Sequence, residues 1–154
     1  MRIGVTGASG MLGTAIIQEL TKKYEVFATS RNIGLTNDRV HWSCFDLTNS
    51  DKLYKWLGNT DPHIIIHCAA IVDVDYCEEN MDLSHKLHAE STTALANYLD
   101  NKNKKLIYIS TDAVFDGNQT TPYKETDDVN PKNIYAKTKL LGEKPVLKMT
   151  DGLV

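Results

Sequence analysis

The chain has 154 residues, of which 42% are hydrophobic and 24% are charged, the proportions of a globular protein of about one domain. Its net charge of −3 and its short longest apolar run, residues 64–66, argue against nucleic acid and a membrane as partners. Three cysteines without framework spacing predict a reducing cytoplasm, and the predicted strand directly after Met1 leads us to expect no signal peptide.

The first twenty residues predict a strand, a glycine-rich turn and a helix. Residues 2–6 form a short apolar strand, and glycines follow at positions 7, 10 and 13 before an apolar helical period. Gly7 permits a tight turn, Gly10 lets the backbone approach a pyrophosphate, and Gly13 lets the helix pack closely on the sheet. The helix N-terminus would present free N–H groups to the phosphates. A plain structural turn is the alternative to a dinucleotide site made by Gly7, Ser9, Gly10, Met11, Leu12 and Gly13.

The second predicted strand, residues 25–30, ends in Ser30 and Arg31. An acidic residue usually stands here in nicotinamide-binding folds and binds the adenosine ribose. A serine and an arginine instead suit the 2′-phosphate of NADP, because a guanidinium binds phosphate through paired, charge-assisted hydrogen bonds. NADP(H) is therefore the preferred cofactor, with NAD(H) as the alternative, and a solvated loop arginine is the competing interpretation. After the third strand, residues 40–45, Asp46 and Leu47 are predicted to lie beside the adenine, unless Asp46 is only a surface residue.

The remaining elements alternate between strands and helices. A short helix over residues 51–57, capped by Asn49 or Ser50, precedes an apolar run at 63–70 that is typical of a central parallel strand. A long helix at 82–100, a strand at 105–110 and a helix from Pro131 onward complete the pattern. The order predicts an α/β, Rossmann-like, doubly wound parallel sheet with helices on both faces.

Two groups of potential metal ligands are interpreted without a metal. His63, His67 and Cys68 share one strand, but no second ligand pair has metal spacing, which favours core packing. The acidic residues at 73, 75, 78 and 79 are predicted to form a solvated loop.

A tyrosine and a lysine stand four residues apart on the last predicted helix, so Tyr135 and Lys139 are expected on one face. A phenol has a pKa near ~10 and transfers protons poorly at neutral pH unless a nearby cation assists it. The preceding strand leads to Thr111, where a parallel sheet opens its ligand crevice. Its hydroxyl would hydrogen-bond a substrate carbonyl beside Tyr135. These three residues predict a catalytic set, against the alternative of a packed tyrosine and a solvated lysine.

Several segments together resemble the extended short-chain dehydrogenase/reductases and, among them, the dTDP-4-dehydrorhamnose reductase family. The matching segments include residues 7–13 (Gly-Ala-Ser-Gly-Met-Leu-Gly), 67–70 (His-Cys-Ala-Ala), 110–117 (Ser-Thr-Asp-Ala-Val-Phe-Asp-Gly) and 133–139 (Asn-Ile-Tyr-Ala-Lys-Thr-Lys). The resemblance implies NADPH-dependent reduction of a 4-keto nucleotide sugar. It implies that Tyr135 delivers the proton, Lys139 holds the nicotinamide ribose and assists Tyr135, and Thr111 completes the set. It also implies that Cys68, Ala69 and Ala70 line the cofactor.

The chain departs from this family in three respects. His88 stands where the family carries an asparagine, and Ala113 stands where it often has an aromatic residue. Family members are also much longer, and their carboxyl-terminal half supplies the nucleotide-sugar pocket. Residues 1–154 are therefore expected to be an NAD(P)-binding domain without the substrate domain, as a fragment or a shortened product. A sheet of five strands would leave an uncovered edge, through which we expect self-association or a homodimer.

Two other functions remain open. One is a non-catalytic regulatory subunit, because the regulatory subunit of methionine adenosyltransferase is a relative with this fold that acts through a partner protein. The other is a sugar-nucleotide epimerase or dehydratase, which shares the Tyr-x-x-x-Lys spacing but prefers an acidic residue after the second strand.

Overall fold

Six parallel strands form one sheet in the computed structural model, which describes residues 1–154. The strands are β1 (Arg2–Thr6), β2 (Glu25–Ser30), β3 (Val40–Cys44), β4 (Ile64–His67), β5 (Lys105–Tyr108) and β6 (Gly152–Leu153). Their order across the sheet is β3-β2-β1-β4-β5-β6, and every neighbouring pair is parallel. The chain reverses its direction of travel between β3 and β4, which confirms the predicted doubly wound α/β fold and places a crevice at the carboxyl ends of β1 and β4.

Six α-helices connect or flank the strands. They are α1 (Met11–Leu20), α2 (Ser50–Thr60), α3 (Val74–Glu79), α4 (Met81–His85), α5 (Ser91–Asp100) and α6 (Ile134–Leu147). A π-helical turn, Lys86–Glu90, joins α4 to α5, and a 3₁₀ turn, Asp112–Val114, follows β5. No helix is both long and apolar enough to cross a membrane.

The two faces of the sheet are covered unequally. On one face, Ile17 of α1 packs against Val5, Val26 and Ala28 of the first two strands. On the other face, a larger core joins α2, α5 and α6 to the central strands, with these side chains: Leu53, Trp56, Leu57, Ile65, Leu95, Leu99, Leu106, Tyr108 and Val146. Because strand side chains alternate between faces, β2 contributes to both cores: Val26 and Ala28 face the first core, and Phe27 packs against the larger one.

Several predicted elements differ from the structure. The last residues form β6, where Gly152 and Leu153 pair with β5, so the expected five-stranded sheet with β5 at its edge is wrong. The expected acidic loop contains α3, which Asp73 caps by accepting a hydrogen bond from the N–H of Tyr76 at 3.0 Å. The last helix begins at Ile134 rather than Pro131, because the Asn133 side chain accepts from the N–H of Ala136 at 2.8 Å. In contrast, Asn49 caps α2 as expected.

The predicted continuous helix at 82–100 is interrupted by the π-helical turn. Three consecutive hydroxyl residues begin α5, and each donates a hydrogen bond to the carbonyl four residues earlier. Such hydroxyl bonds compete with backbone hydrogen bonds and distort a helix locally. The pairs are Ser91 with Leu87, Thr92 with His88, and Thr93 with Ala89.

Helix α6 lies unusually close to this turn. A Cβ atom added at Gly142 would lie 2.4 Å from the carbonyl oxygen of His88 and 2.5 Å from the hydroxyl of Tyr108. Only glycine fits at this distance without movement of a neighbour. The contact therefore sets the height of α6 above the sheet.

We expect Gly142→Ala to lower the free energy of unfolding by about 1–3 kcal/mol, because the methyl group has no space between His88 and Tyr108. The matched control is Gly58→Ala in α2, where nothing lies within 4 Å of the added Cβ. Alanine is more favourable than glycine in the interior of a helix, so this control should have a free energy of unfolding that is higher by roughly 0.5–1 kcal/mol. Urea unfolding of both variants provides the measurement, and equal effects would contradict the close approach of α6.

Candidate active site

The glycine turn after β1 forms a shallow cradle against the segment that follows β4. Gly7 has a positive φ of 63°, and a Cβ there would lie 2.6 Å from the nitrogen of Ala69. A Cβ at Gly13 would lie 2.4 Å from the carbonyl oxygen of Gly7, so α1 packs directly on the turn. Helix α1 starts after Gly10 without a side-chain cap, and its first residues, Met11 and Leu12, are exposed. The turn thus presents uncapped N–H groups to solvent, a suitable site for an anion.

The end of β2 is tied to this turn by hydroxyl groups. Ser30 is buried, and its hydroxyl lies 2.9 Å from that of Ser9 and also contacts the carbonyl of Asn32. Arg31 is exposed and forms no ion pair. Its guanidinium is therefore available to an external anion beside the glycine turn.

The two residues after β3 lie in different environments. Asp46 is exposed, and one carboxylate oxygen accepts from the N–H and hydroxyl of Thr48 at 2.9 Å and 2.8 Å. Its second oxygen has no partner in the protein and remains available. Leu47 is buried in the core, so only its backbone can face a ligand.

The segment after β4 follows the first strand closely. The N–H of Cys68 donates to the carbonyl of Thr6 at 3.2 Å, and the N–H of Ala69 donates to the Thr6 hydroxyl at 3.4 Å. Burial raises the pKa of the Cys68 thiol to about 11, and the nearby Lys139 charge opposes this shift only partly. The thiol is therefore uncharged at neutral pH, and residues 68–70 form a neutral wall beside the glycine turn.

A fully buried histidine supports this wall. His67 accepts from the Thr6 hydroxyl at Nδ1, 2.5 Å away, and its Nε2 lies 3.0 Å from the hydroxyl of Thr92. Thr92 donates its own proton to the carbonyl of His88 at 2.7 Å, so His67 must carry its proton on Nε2. Burial lowers the pKa of His67 to about 3, which keeps the ring neutral. Both ring nitrogens are occupied, consistent with a residue of the core.

A second neutral histidine joins the wall to α6. Nε2 of His88 accepts from the N–H of Ile71 at 2.9 Å, so the ring proton is on Nδ1 and is donated to the Thr138 hydroxyl at 2.8 Å. Burial lowers the pKa of His88 to about 4. The ring edge also faces Tyr135, with centroids 5.8 Å apart and planes at 85°. His88 therefore braces the β4 segment against the helix that carries Tyr135.

The predicted catalytic residues lie along β5 and α6. Thr111 follows β5, and its hydroxyl accepts from the N–H of Ala113 at 3.2 Å. Tyr135 is half-buried on the first turn of α6, and its hydroxyl has no hydrogen-bond partner in the protein. Lys139 lies one turn later on the same helix and is only 2% exposed. The structure thus places Tyr135 and Lys139 as the spacing predicts.

Lys139 does not form a hydrogen bond with Tyr135. Its ammonium donates to the carbonyl of Ile109 at 2.5 Å and lies 4.0 Å from the centroid of the Tyr108 ring. Burial lowers the pKa of Lys139 to about 8, and the nearby Glu143 carboxylate counteracts part of that shift. Glu143 itself accepts a hydrogen bond from Ser110. Sequence reasoning assigned no role to Tyr108 or Ser110, because their contacts with α6 depend on the tertiary structure.

The loop between β5 and α6 is organised by Asp116. This carboxylate accepts from the Tyr123 hydroxyl at 2.8 Å, the N–H of Asn118 at 3.1 Å and the side chain of Asn130 at 3.1 Å. These hydrogen bonds, led by that of Tyr123, lower the pKa of Asp116 to about 2. Asp116 therefore shapes the loop that follows Thr111.

Comparison with known proteins identifies a matching family model and similar proteins that are about twice as long as this chain. Residues 1–154 match the family model described as RmlD substrate binding domain. The chain is 36% identical over 151 residues to Methionine adenosyltransferase 2 subunit beta of Bos taurus, covering 98% of this chain and 44% of that protein. It is 31% identical over 151 residues to the dTDP-4-dehydrorhamnose reductase of Aggregatibacter actinomycetemcomitans, covering 97% and 48%. The chain therefore spans about half the length of these curated relatives.

A solved structure of a dTDP-4-dehydrorhamnose reductase also matches this chain over about half of its own length. The dTDP-4-dehydrorhamnose reductase from Bacillus anthracis str. Ames, in complex with NADP, superposes with a TM-score of 0.84 at 32% identity. The match covers 99% of this chain and 51% of that one.

The two neutral histidines predict how stability depends on pH. Their folded-state pKa values, about 3 for His67 and about 4 for His88, lie below the ordinary value of 6.5. Below pH 6.5 both histidines bind protons in the unfolded chain but remain neutral in the folded protein. The free energy of unfolding therefore falls as the pH is lowered toward 4. The expected slope is about 1.4 kcal/mol per pH unit for each histidine.

Urea unfolding at several values between pH 7.5 and 5 measures this slope. His67→Gln should reduce it by about half, because one of the two histidines has been removed. A slope identical to that of the unmodified protein would show that His67 is not held neutral.

Proposed function

The chain belongs to the RmlD substrate binding domain family, and from that premise we propose that it is the cofactor-binding and catalytic half of a reductase of 4-keto nucleotide sugars. We propose that residues 1–154 form one NAD(P)-binding domain. One observation carries the proposal: the segments after β1, β2, β4 and β5 meet at the carboxyl edge of the parallel sheet. In this proposal the uncapped helix, the free arginine, the neutral wall and the Tyr135–Lys139 pair share one crevice.

The residues fit an NADP molecule. The cradle at Gly7 and Gly13 has no space for a Cβ, and the α1 N-terminus beyond it suits a pyrophosphate. Arg31, with Ser30 beside it, would bind the 2′-phosphate, and the free oxygen of Asp46 would accept from the adenine amino group. The NADP complex of the related Bacillus anthracis reductase supports this choice, with NAD as the alternative.

When bound, NADPH would supply the hydride needed to reduce the carbonyl carbon of the substrate. Tyr135 donates its hydroxyl proton to the carbonyl oxygen, which completes the reduction of the ketone to an alcohol. The hydroxyl of Thr111, which lies 3.4 Å from the Asp112 carboxylate in this structure, would turn from that carboxylate to donate a hydrogen bond that holds the same oxygen beside Tyr135. Because the Tyr135 hydroxyl has no hydrogen-bond partner in the protein, no internal hydrogen bond must be broken before it meets the substrate.

Lys139 has the second role in this proposal. Its ammonium has three donors, and only one is used by the carbonyl of Ile109. The others would bind the nicotinamide ribose and assist proton transfer by Tyr135. His88 is neutral and its ring proton is committed to Thr138, so it acts as a brace and not as the proton source.

A second candidate function is that of a subunit that acts through a partner protein. The specific observation in its favour is the 36% identity to Methionine adenosyltransferase 2 subunit beta of Bos taurus. In this case the NADP site would remain, but reduction of a sugar would not. The two functions differ in whether Tyr135 is needed.

The first test concerns the choice of cofactor. NADPH should bind more tightly than NADH, and Arg31→Ala should reduce that preference by about tenfold, roughly 1.4 kcal/mol, because the charge facing the 2′-phosphate is lost. The control is Arg39→Ala, since Arg39 is also exposed but precedes β3 and contacts the carbonyl of Lys22. Calorimetric titration measures each affinity, and equal binding of the two cofactors by the unmodified protein would disprove the assignment.

The second test concerns the proton donor, in a protein that continues this chain to the length of its relatives. Tyr135→Phe should abolish reduction of the keto sugar while the affinity for NADPH changes by less than about threefold, since only the reacting hydroxyl is removed. Tyr54→Phe on the exposed face of α2 is the control and should leave both unchanged. Normal turnover by Tyr135→Phe would assign the proton to another group. Absence of turnover in the unmodified protein, with intact NADPH binding, would favour the subunit.

A further inference from the structure

Lys139 is a buried cation without an ion pair. The side chain is 2% exposed, and no carboxylate lies within salt-bridge distance of its ammonium. The nearest acidic residue along the helix, Glu143, is hydrogen-bonded by Ser110 instead. An ammonium removed from water is costly unless other groups stabilise its charge. Some other feature of the site must therefore hold this charge.

Two adjacent residues of β5 and its continuation supply that feature. The carbonyl of Ile109 accepts from the ammonium at 2.5 Å, and the centroid of the Tyr108 ring lies 4.0 Å from the same nitrogen. The face of an aromatic ring is negative and attracts cations, most strongly where water is absent. Tyr108 is 1% exposed, so this contact is fully desolvated.

We propose that Tyr108 is a positioning residue, whose ring face keeps the Lys139 ammonium charged and fixed beside the cofactor crevice. The proposal deepens the proposed function and rests on it for the role of Lys139 toward the cofactor. The contact between the ring and the ammonium is independent of that role and can be tested alone.

The ring is itself held rigidly. Its hydroxyl lies 3.3 Å from the carbonyl of Lys139 and 3.5 Å from that of His88, and the His67 ring lies 5.5 Å away. Burial raises the pKa of Tyr108 well above its ordinary range, so the residue remains a neutral phenol. A phenolate cannot then be the partner of Lys139, and the aromatic face is the group that acts.

The other groups around the ammonium are accounted for. Burial lowers the pKa of Lys139 to about 8, while the charge of the Glu143 carboxylate on α6 raises it. Cys68, after β4, is an uncharged thiol near neutral pH because burial raises its pKa to about 11. His67 on β4 and His88 in the π-helical turn are neutral near pH 7. Tyr135 lies one turn away on α6 itself. Loss of the ring face should therefore lower the pKa of Lys139 further.

The test replaces the ring in steps without changing its shape. The ¹³Cε resonance of Lys139, assigned by its absence in Lys139→Gln, reports the titration midpoint of the ammonium. Tyr108→Phe should keep the midpoint, because the ring face remains. Tyr108→4-fluorophenylalanine and the corresponding difluoro and trifluoro substitutions withdraw electron density and should lower the midpoint stepwise, by about one pH unit at the end of the series.

The control applies the same series at Tyr98, whose ring lies 4.7 Å from the exposed ammonium of Lys102. It should leave the Lys139 midpoint unchanged. A Lys139 midpoint that stays constant along the Tyr108 series would overturn the proposal. Since the fluorinated side chains keep the size of phenylalanine, this result would not depend on the stability of a ringless variant such as Tyr108→Leu.

Titration of the same variants with NADPH separates the two proposals. If Lys139 binds the cofactor, the affinity should fall in parallel with the midpoint along the series. A midpoint that falls while the affinity stays constant would support the role of Tyr108 toward Lys139 and would contradict the role of Lys139 in cofactor binding.

Discussion

The structure depends on one buried chain of hydrogen bonds that runs through His67. The N–H of Ala69 donates to Thr6, Thr6 donates to His67, His67 donates to Thr92, and Thr92 donates to the carbonyl of His88. Each hydroxyl is at once a donor and an acceptor, so reversal of any one bond leaves a buried group unpaired. The segment after β4 and the π-helical turn are thereby fixed to each other and to β1.

Helix α6 takes its position from the far end of this chain. The carbonyl of His88 is the point that Gly142 approaches so closely, and the ring of the same residue reaches Ile71 and Thr138. His88 therefore connects the wall of the crevice to α6 through both its backbone and its side chain. A shift of α6 would move Tyr135 relative to that wall and would also break these contacts. The placement of Tyr135 is thus a consequence of packing between residues 88 and 138, which are 50 positions apart in the sequence.

The sequence predicts most of the sheet because its strands carry strong local patterns. The apolar run that contains β4 and the glycine turn at Gly7 are visible without any tertiary information, as is the asparagine cap at Asn49. β6 is not visible in this way, since two residues have no periodicity and only their pairing with β5 defines them. Helix α3 is hard to see in the sequence because Asp73 stands among other acidic residues. The structure shows that Asp73 is the N-cap of this helix, a position at which aspartate is common.

The candidate site was predictable only in part, for a related reason. Glycine spacing and the interval between Tyr135 and Lys139 are local properties, so the sequence indicates them directly. The partners of Lys139 are not local, because Tyr108 and Ile109 reach it across the sheet-to-helix packing.

The arrangement of charge separates binding from chemistry. Positive features lie along the carboxyl edge of the sheet, with Arg31 after β2, the α1 N-terminus after β1, and Lys139 on α6. Two carboxylates near this edge accept hydrogen bonds from the protein itself. Asp46 accepts from Thr48, and Glu143 accepts from Ser110. Such a pattern favours an extended anion whether or not a reaction follows. In the proposed function, the free hydroxyl of Tyr135, with Thr111 to hold the carbonyl and Lys139 to assist proton transfer, converts a dinucleotide site into a reductase. Both candidate functions can therefore share the residues that bind the dinucleotide.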